Sequence, residues 1–238
     1  MYISKKYPFV LIFALYAFIL QSCEQRNAPK SAGDIDSKVK VILAGMTLEE
    51  KVGQMTQINL PVLVKGSDLY AQPEPVELDP EKLQNAFGKY KIGSVLNTVN
   101  NRARSLEFWH KIIDQIQEVA IRETAIPVLY GIDAIHGTTY TAGGTMFPQE
   151  IGLGATFNPE LVRQLNEMCA YEMRASNIPW NFSPVQDMGR DPRDSRMWET
   201  FGEDVYLNAT MGAVAVEGIQ GKDAATIDQK HGAACLKH

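Results

Sequence analysis

Apolar residues recur every three or four positions in the segment from about residue 105 to 123, the most regular part of the chain. They are Leu106, Trp109, Ile112, Ile113, Ile116, Val119 and Ala120. This spacing places them on one face of a helix. The pattern therefore predicts an amphipathic helix whose apolar face, with Trp109, packs into the core.

Other helices are predicted from signals at their first turns. Thr47 and Glu50 have the spacing of a capping box, and Val52 and Met55 share one face of the helix that should follow. An Asn cap followed by proline, at residues 158 and 159, opens a second helix. The buried face of that helix is predicted to comprise Leu161, Val162, Leu165, Met168 and Cys169. Residues 83–90 and 203–218 complete the predicted helices, the last with Glu203 and Asp204 at its first turn.

Short apolar runs between these helices predict strands at residues 92–96, 128–130, 181–185 and 233–236. Residues 61–80, which contain several prolines, and the glycine-rich residues 131–154 are predicted to be loops. Alternating strands and helices indicate an α/β fold with a parallel sheet. A doubly wound sheet and a (β/α)8 barrel both fit this order. No Gly-x-Gly-x-x-Gly follows a predicted strand, which argues against a dinucleotide-binding fold.

The N-terminus has the features of an export signal. Lys5 and Lys6 precede an unbroken apolar run at residues 9–20, and Cys23 follows closely. Twelve residues of helix span only about 18 Å, whereas the hydrocarbon core of a membrane is about 30 Å thick, so the run suits a signal peptide better than a membrane-spanning helix. The order also resembles a bacterial lipoprotein signal, in which the cysteine becomes the lipidated N-terminus.

We therefore predict a signal peptide at residues 1–22, lipidation at Cys23, a tether at 23–37 and a folded domain at 38–238. The protein would be exported, as a lipoprotein of the bacterial periplasm or outer membrane that a lipid anchor attaches to the membrane. Gln21 is atypical of lipoprotein signals, so ordinary cleavage and an uncleaved anchor are alternatives.

Composition excludes some functions. The net charge of −5 argues against a nucleic-acid-binding surface, which would be basic. Cys169 and Cys235 lie in apolar sequence and are predicted to be buried free thiols, with a disulfide as the alternative in an exported protein. The four histidines and three cysteines lack the spacing of metal ligands.

Polar residues follow the predicted strands. Asp133 comes after the second, Arg196 lies in the charged segment after the third, and Lys237 and His238 follow the fourth. In a barrel these positions share one rim. Carboxylates accept hydrogen bonds from hydroxyl groups and cationic side chains donate them, so the set suits a sugar. We interpret His136 as structural, and the residues Asp191 and Arg193 as an ion pair within their loop. Trp180 and Trp198 are further candidates, because aromatic faces often line sugar sites.

Five longer segments, taken together, are more specific indicators of fold and function than the single residues above. In chain order they read MTLEEKVGQM, GIDAIHG, FPQEIGLGATFNPELV, FSPVQDMGRDPRDSRMWETFGEDVYL and a terminal KH. They resemble the N-terminal domain of glycoside hydrolase family 3, especially its β-glucosidases. The resemblance implies the N-terminal half of a (β/α)8 TIM-type barrel. It also implies that Asp133, Arg196, Lys237 and His238 hold the glucosyl unit in subsite −1.

Two details refine the resemblance. Asp194 and Ser195 stand where many members have Trp-Gly, which affects local packing rather than the role of Arg196. The GIDAIHG segment favours the glucosidase branch over the N-acetylglucosaminidase branch.

The resemblance implies a retaining, exo-acting β-glucosidase that cleaves β-glucosides or oligosaccharides. Retention needs two carboxyl groups about 5–5.5 Å apart. In this family the nucleophilic Asp follows a later strand and the acid/base lies further on. We therefore expect no catalytic residue within these 238 residues, and we expect the chain alone to be inactive. The chemistry requires no metal or organic cofactor. The alternatives are a non-catalytic sugar-binding lipoprotein and a nucleotide-dependent α/β oxidoreductase.

Overall fold

A computed structural model describes residues 32–223 and 226–238. The chain divides into two compact units between Gly45 and Met46. In the first unit, helix α1 spans Ala32–Gly45 and so begins within the segment predicted to be a tether. The predicted signal peptide and Cys23 lie outside the described residues. No helix in the described ranges is both long and apolar enough to cross a membrane.

The second unit alternates strands and helices. In chain order its elements are α2 (Leu48–Gln54), β1 (Gln57–Asn59), α3 (Pro80–Leu83), β2 (Ser94–Leu96), α4 (Leu106–Thr124), β3 (Leu129–Ile132), α5 (Glu150–Gly154), α6 (Pro159–Ala175), β4 (Trp180–Asn181) and α7 (Val205–Gln220). A π-helix at Gln84–Lys89 continues α3, and 3-10 helices occupy Leu60–Leu63 and Met197–Glu199.

The four strands form one parallel sheet in the order β1-β2-β3-β4. Ile58 pairs with Val95, which in turn pairs with Tyr130. Each strand therefore lies beside its neighbour in the sequence, without the reversal of order that defines a doubly wound sheet. This sequential order is that of half a (β/α)8 barrel, as the resemblance implied. The carboxyl ends of all four strands meet at one edge.

Strand β1 was not predicted from the sequence. It has three residues, and only Ile58 among them is apolar, so neither an apolar run nor clear alternation marks it. The strand itself is not buried, and the chain enters the core in the 3-10 helix that follows, where Leu60 and Leu63 are fully buried. The prediction of a loop over residues 61–80 was therefore wrong at its start, because the chain first packs into the core there.

The strand predicted at residues 233–236 is reduced to two isolated parallel bridges. Ala233 pairs with Trp180, and Lys237 pairs with Val185. Leu236 between them is exposed, and Cys235 is partly exposed rather than buried. The segment nevertheless continues the sheet beyond β4 and brings the end of the chain to the same edge.

The helix starts agree with the predictions. Thr47 and Glu50 form the capping box, and the side chains of Ser105, Asn158 and Asp204 accept backbone N–H groups at the starts of α4, α6 and α7. The predicted buried faces of the helices agree less well with the structure. Val52 and Met55 of the first predicted helix are exposed, as are Leu106, Leu161 and Met168 of the later ones.

Two apolar clusters support the sheet. The larger one packs α4 against β2 and β3, with Trp109 edge-on to Tyr130 at 5.7 Å between ring centroids. The smaller one joins α5, α6 and α7 through Leu153, Val162 and Met211.

Candidate functional site

Asp133 directly follows β3 and is held in place from the neighbouring strand. The fully buried side chain of Asn181 in β4 accepts the N–H of Ala134 at 3.0 Å and donates to its carbonyl at 3.1 Å. Phe182 N–H also donates to the carbonyl of Ile132 at 2.9 Å. These contacts fix the backbone on both sides of Asp133. The local sequence shows no sign of the contacts between Asn181 and Ala134, because these residues are 47 positions apart.

Lys237 forms an ion pair with Asp133 through a hydrogen bond from Nζ to Oδ1. The lysine backbone is held by β-type hydrogen bonds, since Gln186 N–H donates to its carbonyl at 2.6 Å. The side chain of Lys237 is 15% exposed and that of Asp133 is 34% exposed. The carboxylate therefore remains accessible to a ligand beside a cation that is largely buried.

His238 lies between an acid and a cation. Its Nδ1 is 2.7 Å from Asp187 Oδ2, and its Nε2 is 3.0 Å from a terminal nitrogen of Arg196. A guanidinium group only donates hydrogen bonds, so Nε2 must accept and Nδ1–H must donate to the carboxylate. The contacts therefore select the neutral Nδ1–H tautomer of His238.

Arg196 is held by Glu199, one helical turn along the chain. Its Nε donates to Oε1 at 2.9 Å and its other terminal nitrogen donates to Oε2 at 2.5 Å, which makes a bidentate pair. The hydrogen bonds that Glu199 accepts raise the pKa of the Arg196 guanidinium, which stays charged. The residues Glu199, Asp187 and Asn181 were missed as members of the site. A carboxylate three residues after Arg196 was the available signal for Glu199.

The four residues predicted to hold a sugar thus meet at one edge in two contacts, Asp133 with Lys237 and Arg196 with His238. The negative charges of Asp133 and Asp187 both act on Arg196, so the two contacts belong to one electrostatic cluster. Carboxylates, a lysine, an arginine and an imidazole present acceptors and donors side by side. Such a surface can hydrogen-bond to several hydroxyl groups of one ligand.

Other residues singled out from the sequence lie outside this cluster. His136 Nδ1 contacts the carbonyl of Phe147 at 3.1 Å, which is a structural role. Arg193 pairs bidentately with Asp191 on the surface, as predicted. Trp198 follows Arg196 closely in the sequence and is 49% exposed.

In the described part of the chain, Cys169 and Cys235 are free thiols, and burial raises the pKa of Cys169 to about 11. No group of His, Cys, Asp or Glu between residues 32 and 238, the two undescribed positions aside, has an arrangement that could hold a metal ion.

A buried carboxyl group lies beneath the site. Glu150, the first residue of α5, is 2% exposed, and its Oε1 accepts the N–H of Val185 at 3.4 Å. Burial raises the pKa of Glu150 to about 9, and the nearby charges of Glu199 and Asp187 act in the same direction. Val185 pairs with Lys237, so this uncharged carboxyl supports the backbone that carries the lysine.

Comparison with known proteins gives concordant matches. The family model described as "Glycosyl hydrolase family 3 N terminal domain" matches residues 47–238. The chain is 35% identical over 195 residues to a lysosomal beta glucosidase of Dictyostelium discoideum, covering 78% of this chain and 23% of that protein. It is 32% identical over 200 residues to a periplasmic beta-glucosidase of Salmonella typhimurium, covering 84% and 23%.

A solved structure of similar fold is the beta-glucosidase from Listeria innocua in complex with glucose. It matches with a TM-score of 0.65 and 33% identity over 85% of this chain and 26% of that one. A mutant of the same enzyme in complex with laminaribiose matches equally well, with a TM-score of 0.65 at 32% identity over the same shares of the two chains. The present chain thus spans about a quarter of the length of these relatives.

Proposed function

The chain belongs to glycosyl hydrolase family 3 through the N-terminal domain of that family, and we propose that it forms the substrate-holding part of an exported, retaining β-glucosidase. The observation that carries the proposal is the meeting of Asp133, Arg196, Lys237 and His238 at the carboxyl edge of the sheet. The proposed ligand in this site is the glucosyl unit at the non-reducing end of a β-glucoside, in subsite −1.

Each side chain has a role that its contacts support. Asp133 is partly exposed and accepts hydrogen bonds from two hydroxyl groups of the sugar, while Lys237 orients the carboxylate and donates to a hydroxyl oxygen. Arg196, held by Glu199, donates from the other side. His238, fixed in one tautomer by Asp187, completes the ring of polar groups. A neutral sugar suits this mixture because acids and cations lie side by side.

The relatives support the proposed substrate class and the proposed export of the protein. The Listeria innocua enzyme binds glucose, and its mutant binds laminaribiose, so we propose glucosides for this chain too. The Salmonella typhimurium relative is periplasmic, which agrees with the proposed signal peptide at residues 1–22, lipidation at Cys23, tether at 23–37 and barrel domain at 38–238.

Hydrolysis with retention requires a nucleophile and an acid/base about 5–5.5 Å apart. We assign neither role to Asp133 or Asp187, since Lys237 and His238 engage them in contacts that suit binding. We propose that both catalytic carboxyl groups come from other parts of the whole enzyme, of which the present chain is a fragment that does not turn over substrate alone. A non-catalytic sugar-binding lipoprotein would use the same four residues.

Binding and turnover test these proposals separately. Purified 238-residue chain is titrated with glucose in a calorimeter and, in parallel, incubated with an aryl β-glucoside. We expect saturable glucose binding without release of the aryl group. Absence of glucose binding would overturn the assignment of the site. Turnover by homogeneous protein would overturn the assignment of the catalytic carboxyl groups to other parts of the enzyme.

A further inference from the structure

Glu150 is a buried acid that lies outside the cluster at Asp133 but is connected to it. It begins α5 and is 2% exposed, and its Oε2 has no hydrogen-bond partner in the described part of the chain. We propose that Glu150 is a positioning residue of the sugar site, which holds the backbone beside Lys237 and leaves that lysine to pair with Asp133. The inference rests on the proposed function and adds a residue that acts on the ligand only through others.

The side chain of Glu150 holds the backbone that follows β4. Its Oε1 accepts the N–H of Val185 at 3.4 Å, and Val185 is itself 1% exposed. A buried N–H group without a partner costs free energy, so the contact favours one position of this segment over others. The two residues are 35 positions apart, and the hydrogen bond therefore ties the start of α5 to the sheet.

Val185 is joined in turn to the end of the chain. It forms a parallel bridge with Lys237. The carbonyl of Pro184 accepts the N–H of Lys237 at 3.3 Å, and the N–H of Gln186 donates to the lysine carbonyl at 2.6 Å. The backbone of Lys237 is thus held by the residues on both sides of the one that Glu150 holds. A shift of this segment would move the point from which the lysine side chain extends.

The charge state of Glu150 matters because charged groups surround it. Burial raises its pKa to about 9, and the negative charges of Glu199 and Asp187 act in the same direction, while the backbone N–H that it accepts and the cation of Lys237 oppose the shift. At neutral pH the group is therefore uncharged. An ionised Glu150 would be a second anion that attracts Lys237, in competition with Asp133.

Two variants separate the hydrogen bond of Glu150 from its size. Glu150→Gln keeps an oxygen that accepts the N–H of Val185, whereas Glu150→Met fills a similar space with a flexible apolar side chain that has no oxygen. Glu118→Met, at an exposed position of α4, is the matched control. Each protein is titrated with glucose at pH 7 as the whole 238-residue chain, and near-UV circular dichroism compares its core packing with that of the unaltered chain.

We expect Glu150→Met to bind glucose about tenfold more weakly than the unaltered chain, which is the effect of one lost hydrogen bond. Glu150→Gln should restore the affinity that the methionine variant loses, and Glu118→Met should bind as the unaltered chain does. Undiminished binding by Glu150→Met would overturn the positioning role and leave the proposed function standing. Absence of glucose binding by the unaltered chain would overturn both.

A comparison at two pH values tests the role without a disruptive substitution. At pH 9 about half of the Glu150 side chains are ionised in the unaltered chain. The glucose affinity of the unaltered chain, relative to that of Glu150→Gln, should therefore be about twofold lower at pH 9 than at pH 7. Other titrating groups are the same in both proteins, so this ratio isolates Glu150. An equal ratio at the two pH values would overturn the proposal.

Discussion

Arg196 donates to Nε2 of His238 at 3.0 Å, although 42 residues separate them in the chain. The contact exists because the end of the chain adds to the sheet beside β4, through the bridge between Val185 and Lys237. It joins the charged loop after β4 to the last residue. Side chains from two segments thereby form one polar surface beside Asp133.

The tautomer of His238 is the first testable consequence. Since Arg196 can only donate, the imidazole should carry its proton on Nδ1, directed at Asp187. Nitrogen-15 spectra of the histidine side chains at about pH 8.5, where unperturbed imidazole is neutral, should show this tautomer for His238. In Asp187→Ala the preference should weaken. A predominant Nε2–H form in the unaltered chain would contradict the arrangement.

Glu150 should make stability depend on pH. Its pKa is raised from 4.5 to about 9 by burial, so the folded state binds a proton that the unfolded state releases above 4.5. The stabilisation is complete below about pH 4.5 and is lost progressively as the pH rises towards 9. Within this window the contribution falls by about 1.4 kcal/mol for each pH unit.

The isosteric variant Glu150→Gln removes this dependence. In urea denaturation at pH 5, 6, 7 and 8, the free energy of unfolding of Glu150→Gln should rise steadily relative to that of the unaltered chain. Glu118→Gln, on helix α4 and exposed, is a control that should run parallel to the unaltered chain. A constant difference between Glu150→Gln and the unaltered chain across the series would show that Glu150 is already ionised.

Gly218 should be essential to the packing of α6 against α7. A Cβ at this position would lie 2.3 Å from the carbonyl oxygen of Arg163, and that oxygen belongs to a helix backbone that cannot move alone. We expect Gly218→Ala to destabilise the fold by about 1–3 kcal/mol through overpacking. A Cβ at Gly152 in α5 would make only an ordinary contact, at 3.5 Å from the Cβ of Pro148, so Gly152→Ala should be tolerated. Equal melting temperatures for the two variants would contradict the close approach of the helices.

The sequence predicted what depends on local chemistry. Helix starts at Thr47, Ser105 and Asn158 follow from side chains that cap nearby N–H groups. The meeting of Asp133 with Lys237 followed from a long-range rule, because parallel strands bring their carboxyl ends to one edge.

What the sequence did not predict depends on contacts between distant segments. Strand β1 has a single apolar residue, Ile58, and exists because β2 pairs with it. In the sequence Asn181 looks like any polar residue of a strand, and its role becomes visible only in the fold, where it hydrogen-bonds to the backbone of Ala134.

The central claim is that Asp133 and its partners hold a glucosyl unit. The most direct measurement is calorimetric titration of glucose into the unaltered chain, Asp133→Asn and the control Asp191→Asn. Asp191 is an exposed aspartate that pairs with Arg193 outside the site. Asp133→Asn loses the negative charge that pairs with Lys237 and strengthens the hydrogen bonds accepted from sugar hydroxyl groups. The affinity of this variant for glucose should therefore fall at least about tenfold. Asp191→Asn should bind as the unaltered chain does. Equal glucose affinity in all three proteins, or no binding by any of them, would contradict the account.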